Sequence, residues 1–377
     1  MSKARAARVC ERARTGEKSP FRHVGSWLIG AAAGVLVAAG CATAPTVEED
    51  LVWPVPPEAP RIRFVRSLSS EADVEKKTTG KELSRALLGP ELVRKLSKPY
   101  GVAADADGRL YVADTGWGRV LKFDPVAGKL DVLGDEGKGA LRKPVGLALD
   151  KNGNLYVADT DQDRVVVFGP DRKFLSAMGK KGELEQPVGI GINDALGRIY
   201  VVDTKKHGVT VFGRQGEILF TFGQRGEKEG EFNYPTNLAL DREGRLYVMD
   251  SMNFRVQIFD PDGKFLRVFG KLGDSFGQFA RPKGIGVDSE GHVYVVDSAF
   301  NNVQIFDETG RLLLFFGRFG NKRGEFWLPA GLFIDSMDRI YVADQYNHRV
   351  NVFQFMGKSY EERKKMEERG GAPKPGG

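Results

Sequence analysis

EFNYPTNLALDREGRLYVMDSMNFRVQIFDPDGKFLRVFG, residues 231–270, holds four short apolar runs parted by turn-forming residues. Pro235 opens TNLAL, Glu243-Gly244 turns into RLYVM, Asp250 to Asn253 turns into RVQIF, and Pro261-Asp262-Gly263 turns into FLRVF. Each run has the length of one strand, and each break uses residues that tolerate tight backbone turns. The pattern predicts four antiparallel strands in chain order. Such a sheet cannot bury both faces alone, so it requires neighbours of its own kind.

Those neighbours are in the sequence. The opening proline recurs at Pro99, Pro144, Pro187, Pro235, Pro282 and Pro329, at spacings of 45, 43, 48, 47 and 47. The aspartate closing the second run recurs in step at Asp114, Asp159, Asp203, Asp250, Asp297 and Asp344. A period in the forties with four strands per unit predicts a β-propeller, whose radial repetition leaves only short, protected edges. At these positions the chain resembles the NHL-repeat family: P-x-G-φ-x-φ-D, then L-Y-V-x-D, then R-V-x-V-F. The last unit carries Asn347-His348-Arg349 at the signature loop. The resemblance spans roughly residues 60 to 357 and implies an all-β, six-bladed propeller of four-stranded antiparallel blades.

The net charge of +6 is concentrated at the start of the chain. Residues 1–40 hold seven Lys/Arg against Glu11 and Glu17, leaving 49 basic and 48 acidic residues in the remainder. A global basic field for nucleic acid is therefore not supported. The basic stretch ends at Arg22, an uncharged run follows from Val24 to Gly40, and Cys41 comes next. That layout is a secretory signal. Ala38-Ala39-Gly40-Cys41 resembles a bacterial lipobox, departing from it at Ala38, where the family prefers Leu. The resemblance implies acylation of Cys41 after cleavage, membrane attachment through that lipid, and, with Ala42 following, outer-membrane sorting. An uncleaved signal anchor would equally place the domain outside the cytoplasm. Cys10 lies in the signal, so the folded part has no thiol for a disulfide, metal or nucleophile.

Residues 41–60 are proline-rich and are expected to form a semi-extended tether. Residues 62–68 alternate basic and apolar like the fourth run of a blade, while the chain turns polar after Phe355. The early segment is thus expected to complete blade six and remove the last open edge of the 61–357 propeller. A long connection over about 70–98 carries Leu83, Leu87, Leu92 and Leu96 near helical spacing, broken at Gly89-Pro90. Glycine-rich connections precede blades four to six, at Gly223 to Phe232, Gly270 to Phe279 and Gly317 to Phe326. They lead into strands rather than helix N-termini, which argues for turns over phosphate cradles. The apolar residue three before each proline is expected to anchor the connection. Residues 358–377 predict a short helix and a disordered end.

Residues repeated in every blade point to structure. The six aspartates are expected to cap turns, and Arg119, Arg164, Arg255 and Arg349, five residues on, to pair with them; blades three and five lack the arginine. Departures from the repeat point to a site. Asn237 stands where other blades have Gly, Phe333 where they have Ala or Gly, and Tyr100, Thr236 and Lys283 follow their prolines at the expected channel mouth. Trp117, Phe254, Phe300, Tyr346 and His348 add loop candidates for partner binding. Propellers resembling this one include metal-dependent lyases and lactone hydrolases, and such an activity is the alternative. His207, His292 and His348 are spread over different blades and faces, however, and each is expected to be a surface loop residue. No metal or cofactor site is expected. The sequence favours a monomeric, non-enzymatic envelope platform that binds a protein or glycan partner.

Overall fold

The computed structural model describes residues 50–76 and 94–369. Cys41, the signal segment and Leu83 to Leu92 of the long connection lie outside the described residues. Six antiparallel sheets are present. Blade one comprises Pro99–Ala104, Leu110–Asp114, Arg119–Asp124 and Lys129–Leu133, and blades two to five repeat that order. Blade six takes Pro329–Ile334, Arg339–Asp344 and Arg349–Phe355 from the end of the repeat, then Ile62–Leu68 from its start. The expected closure is therefore observed, with Ile62 opposite Phe355 and Leu68 opposite Val350.

The hydrophobic cores lie between blades rather than within them. Leu68, Tyr341 and Val350 of blade six pack with Val102, Leu110 and Phe123 of blade one, and each other pair of neighbours shares a cluster of the same kind. Alternate residues of each inner strand feed opposite neighbours, which is why second and third strands read as nearly continuous apolar runs. Near the axis the first strands converge until backbones touch. A Cβ at Gly146 would stand 1.9 Å from the Val188 carbonyl oxygen, and one at Gly331 would stand 2.1 Å from that of Tyr100. This contact explains the glycine two residues after the proline.

One segment differs from expectation. Val52–Trp53, within the expected tether, forms a fifth strand on blade six by pairing with Ile62 and Arg63. Its Trp53 ring lies 5.8 Å from both Phe316 and Phe353. The tail forms a helix over Lys358–Glu368, and Lys358 N–H donates to Glu290 at 2.6 Å. Of the long connection, the two described ends bridge each other between Ser70 and Lys95, and Val74 and Leu96 are buried against blades six and one.

Closure predicts where the ring opens first. Phe64 is buried and stacks edge-on against Phe353 at 5.5 Å. Phe64→Ala is expected to cost about 3 kcal/mol in urea unfolding, whereas Val55→Ala at an exposed position is expected to cost under about 0.5 kcal/mol.

Candidate functional site

The face bearing the second-to-third-strand loops is organised by the six aspartates, all fully buried. Asp114 accepts the N–H groups of Ser97, Lys98, Gly116 and Trp117, so one carboxylate ties its own turn to the connection entering the blade. Asp159, Asp203 and Asp297 likewise take the two N–H groups just before their prolines. Of the arginines expected to pair with them, Arg255 and Arg349 do so, each at 2.8 Å to Asp250 and Asp344. Arg119 and Arg164 instead donate to carbonyls, of Trp117 and of Ala140.

A second set of links passes from blade to blade. The hydroxyls of Thr160, Thr204, Ser251 and Ser298, each directly after its aspartate, donate to the carbonyl of the next blade's proline at 2.6–3.1 Å. The loop position before each third strand is left-handed, with φ of 52° at His207, 55° at Phe254, 54° at Asn301 and 54° at His348. From it His207 Nδ1 accepts the Tyr234 N–H at 3.2 Å, and Asn301 Oδ1 accepts that of Leu328 at 2.8 Å. His348 Nδ1–H donates to the Ser97 carbonyl across the ring closure.

These contacts correct several sequence expectations. His207 is buried, not a surface residue. His292, on the opposite face, is half-buried, paired with Asp288 at 2.8 Å and edge-on to Phe355 at 5.4 Å. Phe254, expected on an exposed loop, packs partly buried against the core between blades four and five. Phe333 keeps its expected place beside the axis, where its ring also lies 6.2 Å from Tyr341 against the core between blades six and one.

The remaining candidates form two groups. Tyr100, Thr236, Asn237 and Phe333 line one axial cavity of ≈ 220 Å³, walled mainly by glycine and aliphatic side chains. Lys283 Nζ lies 5.6 Å from the centre of the Tyr100 ring. Burial pushes the Tyr100 hydroxyl up to about 12 and draws the Lys283 ammonium down, with Arg281 adding to the latter. Thr236 bonds to Ser251 at 2.6 Å, and Asn237 Oδ1 accepts the Leu238 N–H. Among the described residues, no group of three or more His, Cys, Asp or Glu side chains is placed to hold a metal ion.

The second group is on the surface. Trp117 is 51% exposed, held by its Nε1–H on the Lys95 carbonyl at 3.0 Å. Tyr346 packs on Trp327 at 5.7 Å, and Trp327 meets Phe319 at 6.0 Å. Phe300 lies beside Phe276 and Phe315, whose rings stack at 4.7 Å. Leu272, Phe276, Phe319 and Trp327 are exposed residues of the glycine-rich connections that sequence reasoning passed over. Large apolar side chains amid Gly, Asp and Lys were the available signal. The glycines do supply turns there, and Phe232, Phe279 and Phe326 are fully buried anchors as expected.

Architecture and site together define a six-bladed β-propeller. Residues 242–300 and 288–368 match the 6-bladed beta-propeller family model, and residues 141–168 match that of the NHL repeat. No curated protein matches the sequence. A gluconolactonase from Xanthomonas campestris is similar in structure, with a TM-score of 0.55 at 18% identity over 78% of this chain and 98% of that one. Virginiamycin B lyase from Staphylococcus aureus superposes with a TM-score of 0.53 at 14% identity, over 69% of this chain and 95% of that one. An auxiliary nutrient binding protein from Bacteroides ovatus gives 0.55 at 14% identity, covering 68% of this chain and 69% of that one. At these identities the likeness is one of fold.

The Asp288 hydrogen bond, and then its charge, raise the His292 imidazole above its ordinary 6.5 despite burial. A raised imidazole stabilises the fold fully below about 6.5, and the contribution is lost as pH climbs through the folded-state value. The stability difference between the natural protein and His292→Gln is therefore expected to be largest near pH 5.5 and to shrink toward pH 9, read from urea midpoints.

Proposed function

We propose that this propeller is a lipid-tethered binding platform of the cell envelope, engaging a protein partner through its loop-rich face. The observation that carries the reading is the series of exposed aromatic and apolar side chains on the connections and loops of blades four, five, six and one. Phe276 is 74% exposed and Phe319 64%. Large aromatic side chains left in water, rimmed by Lys, Arg and Asp, suit a partner interface. The axial cavity suits this role less, because its wall is mainly glycine and aliphatic side chains and its volume is only ≈ 220 Å³. The nutrient-binding role named for the Bacteroides ovatus protein supports a platform, and the repeated frame leaves these tips free to vary.

Tethering rests on the run Val24 to Gly40 before Cys41. No helix of the described residues is long and apolar enough to cross a membrane. Lipid attachment predicts that Cys41→Ser moves the protein from the membrane to the soluble fraction of cells; retention in the membrane would exclude it. For the face, crosslinking and capture from solubilised envelopes should lose at least about tenfold in recovered partner with Phe319→Ala plus Trp327→Ala. Unchanged recovery would retire the surface, and recovery of glycan in place of protein would reassign the partner class.

A further inference from the structure

Blades four, five and six are entered by connections of one backbone geometry. Gly226, Gly273 and Gly320 donate their N–H groups to the carbonyls of Phe232, Phe279 and Phe326 at 3.0, 3.1 and 3.0 Å. Gly230 and Gly277 each donate to a buried glutamine, Gln257 and Gln304, at 2.9 Å. On this shared frame the blade-four and blade-six connections each wrap a guanidinium. Arg255 donates to the carbonyls of Glu227, Lys228 and Glu231 at 2.6, 2.8 and 3.0 Å. Arg349 donates to those of Asn321, Lys322 and Glu325 at 2.9, 2.8 and 2.8 Å. Blade two uses Arg164, and blade three, lacking the arginine, reaches the same kind of carbonyl with Lys206 at 2.6 and 2.9 Å.

Blade five has Asn302 at this place, opposite Asp297 in the ladder as Arg255 is opposite Asp250. The shorter side chain leaves a cavity of ≈ 260 Å³ where the other two blades hold their guanidinium. Asp274, Ser275, Phe276, Phe300 and Phe315 line it with Asn302. Asn302 is 9% exposed, and its Oδ1 is buried with no hydrogen-bond partner. A buried acceptor without a donor costs free energy that a ligand's N–H would recover. The equivalents of the carbonyls that hold Arg255 and Arg349 are those of Asp274, Ser275 and Gln278, and Gln278 already receives Gln304 at 2.9 Å. The stacked Phe276 and Phe315 rings, 18° from parallel, add an aromatic wall of the kind that favours a planar cation. Two charges flank the opening: the Asp274 carboxylate, and Arg318, whose guanidinium is engaged by Glu325 at 2.9 and 3.0 Å.

We propose that the blade-five cavity is an arginine socket: it accepts the guanidinium of an arginine presented by the partner, in the place where blades four and six supply their own. The proposal rests on the platform reading for its partner but can be tested without one. Calorimetric titration of the full chain in detergent uses the blocked tripeptide glycyl-arginyl-glycine, with glycyl-lysyl-glycine as comparison. The arginyl peptide is expected to bind, the lysyl peptide at least about tenfold more weakly. Asn302→Arg is expected to fill the socket from within, abolishing peptide binding while leaving the unfolding midpoint at or above that of the natural protein. Phe276→Ala, at an exposed position, is expected to weaken binding by about threefold or more. Absence of arginyl binding, equal binding of the two peptides, or binding unchanged by Asn302→Arg would each overturn the socket. Should Asn302→Arg fail to fold, unchanged binding by Phe276→Ala does so instead. Peptide binding without envelope capture would sink the platform reading alone, and capture without peptide binding would sink the socket alone.

Discussion

The fold depends on a carboxylate buried at the end of each second strand. Six aspartates have no exposure to solvent, yet each is surrounded by N–H groups from its own turn, from the chain entering its blade, or from both. Burying an ionised group is costly unless its lone pairs are met, and the donors here are mostly main-chain groups that would otherwise be orphans. One side chain thereby fixes three things: the end of strand two, the loop beyond it, and the start of strand one. Because that start sits at the axis, the same contact sets how closely neighbouring first strands approach. Glycine at 101, 146, 189, 284 and 331 follows from that approach.

Once each blade is fixed at its inner end, cohesion between blades can be handled by small local devices. Four hydroxyls after the aspartates reach the next blade's proline carbonyl, and side chains at the left-handed loop position reach the next blade or its entering connection. Most of the free energy of association still comes from the apolar clusters between sheets, since each blade alone leaves both faces open. The ring closes by the same rule. Ile62–Leu68 extends blade six because Val350, Val352 and Phe353 present an unpaired edge and an apolar face that only a strand can cover.

Blade number, strand order and closure were legible in the sequence because they depend on period and alternation, which are one-dimensional. The fifth strand at Val52–Trp53 was not: its prolines signal an extended tether, and only the aromatic pocket made by Phe316 and Phe353 shows why Trp53 docks. The site was legible in part. Asn237 and Phe333 were picked as departures from the repeat, and Tyr100 and Thr236 as neighbours of their prolines at the channel mouth; the four share one cavity. Phe254 and His348 were picked as loop residues, but a left-handed turn directs one into the core and the other onto Ser97. Phe276, Phe319 and Trp327 were missed because the connections were weighed only as turns.

A position repeated around a ring serves as its own control. Carbonyls that face one point need a donor, and around this ring the donor is a guanidinium in blades two, four and six, an ammonium in blade three, and the Trp117 indole in blade one. Such variety shows that the acceptors are set by the backbone, while the donor is free to change so long as something fills the role. Asn302 makes no hydrogen bond to those carbonyls, the Gln278 carbonyl being met by Gln304 instead, and its own Oδ1 is a buried acceptor without a donor. Sequence variation that merely relaxed the blade would be expected to collapse the space or fill it with apolar bulk. Here the space is kept, and the aromatic residues stand at its edge, which makes blade five the part of the face most open to an external donor.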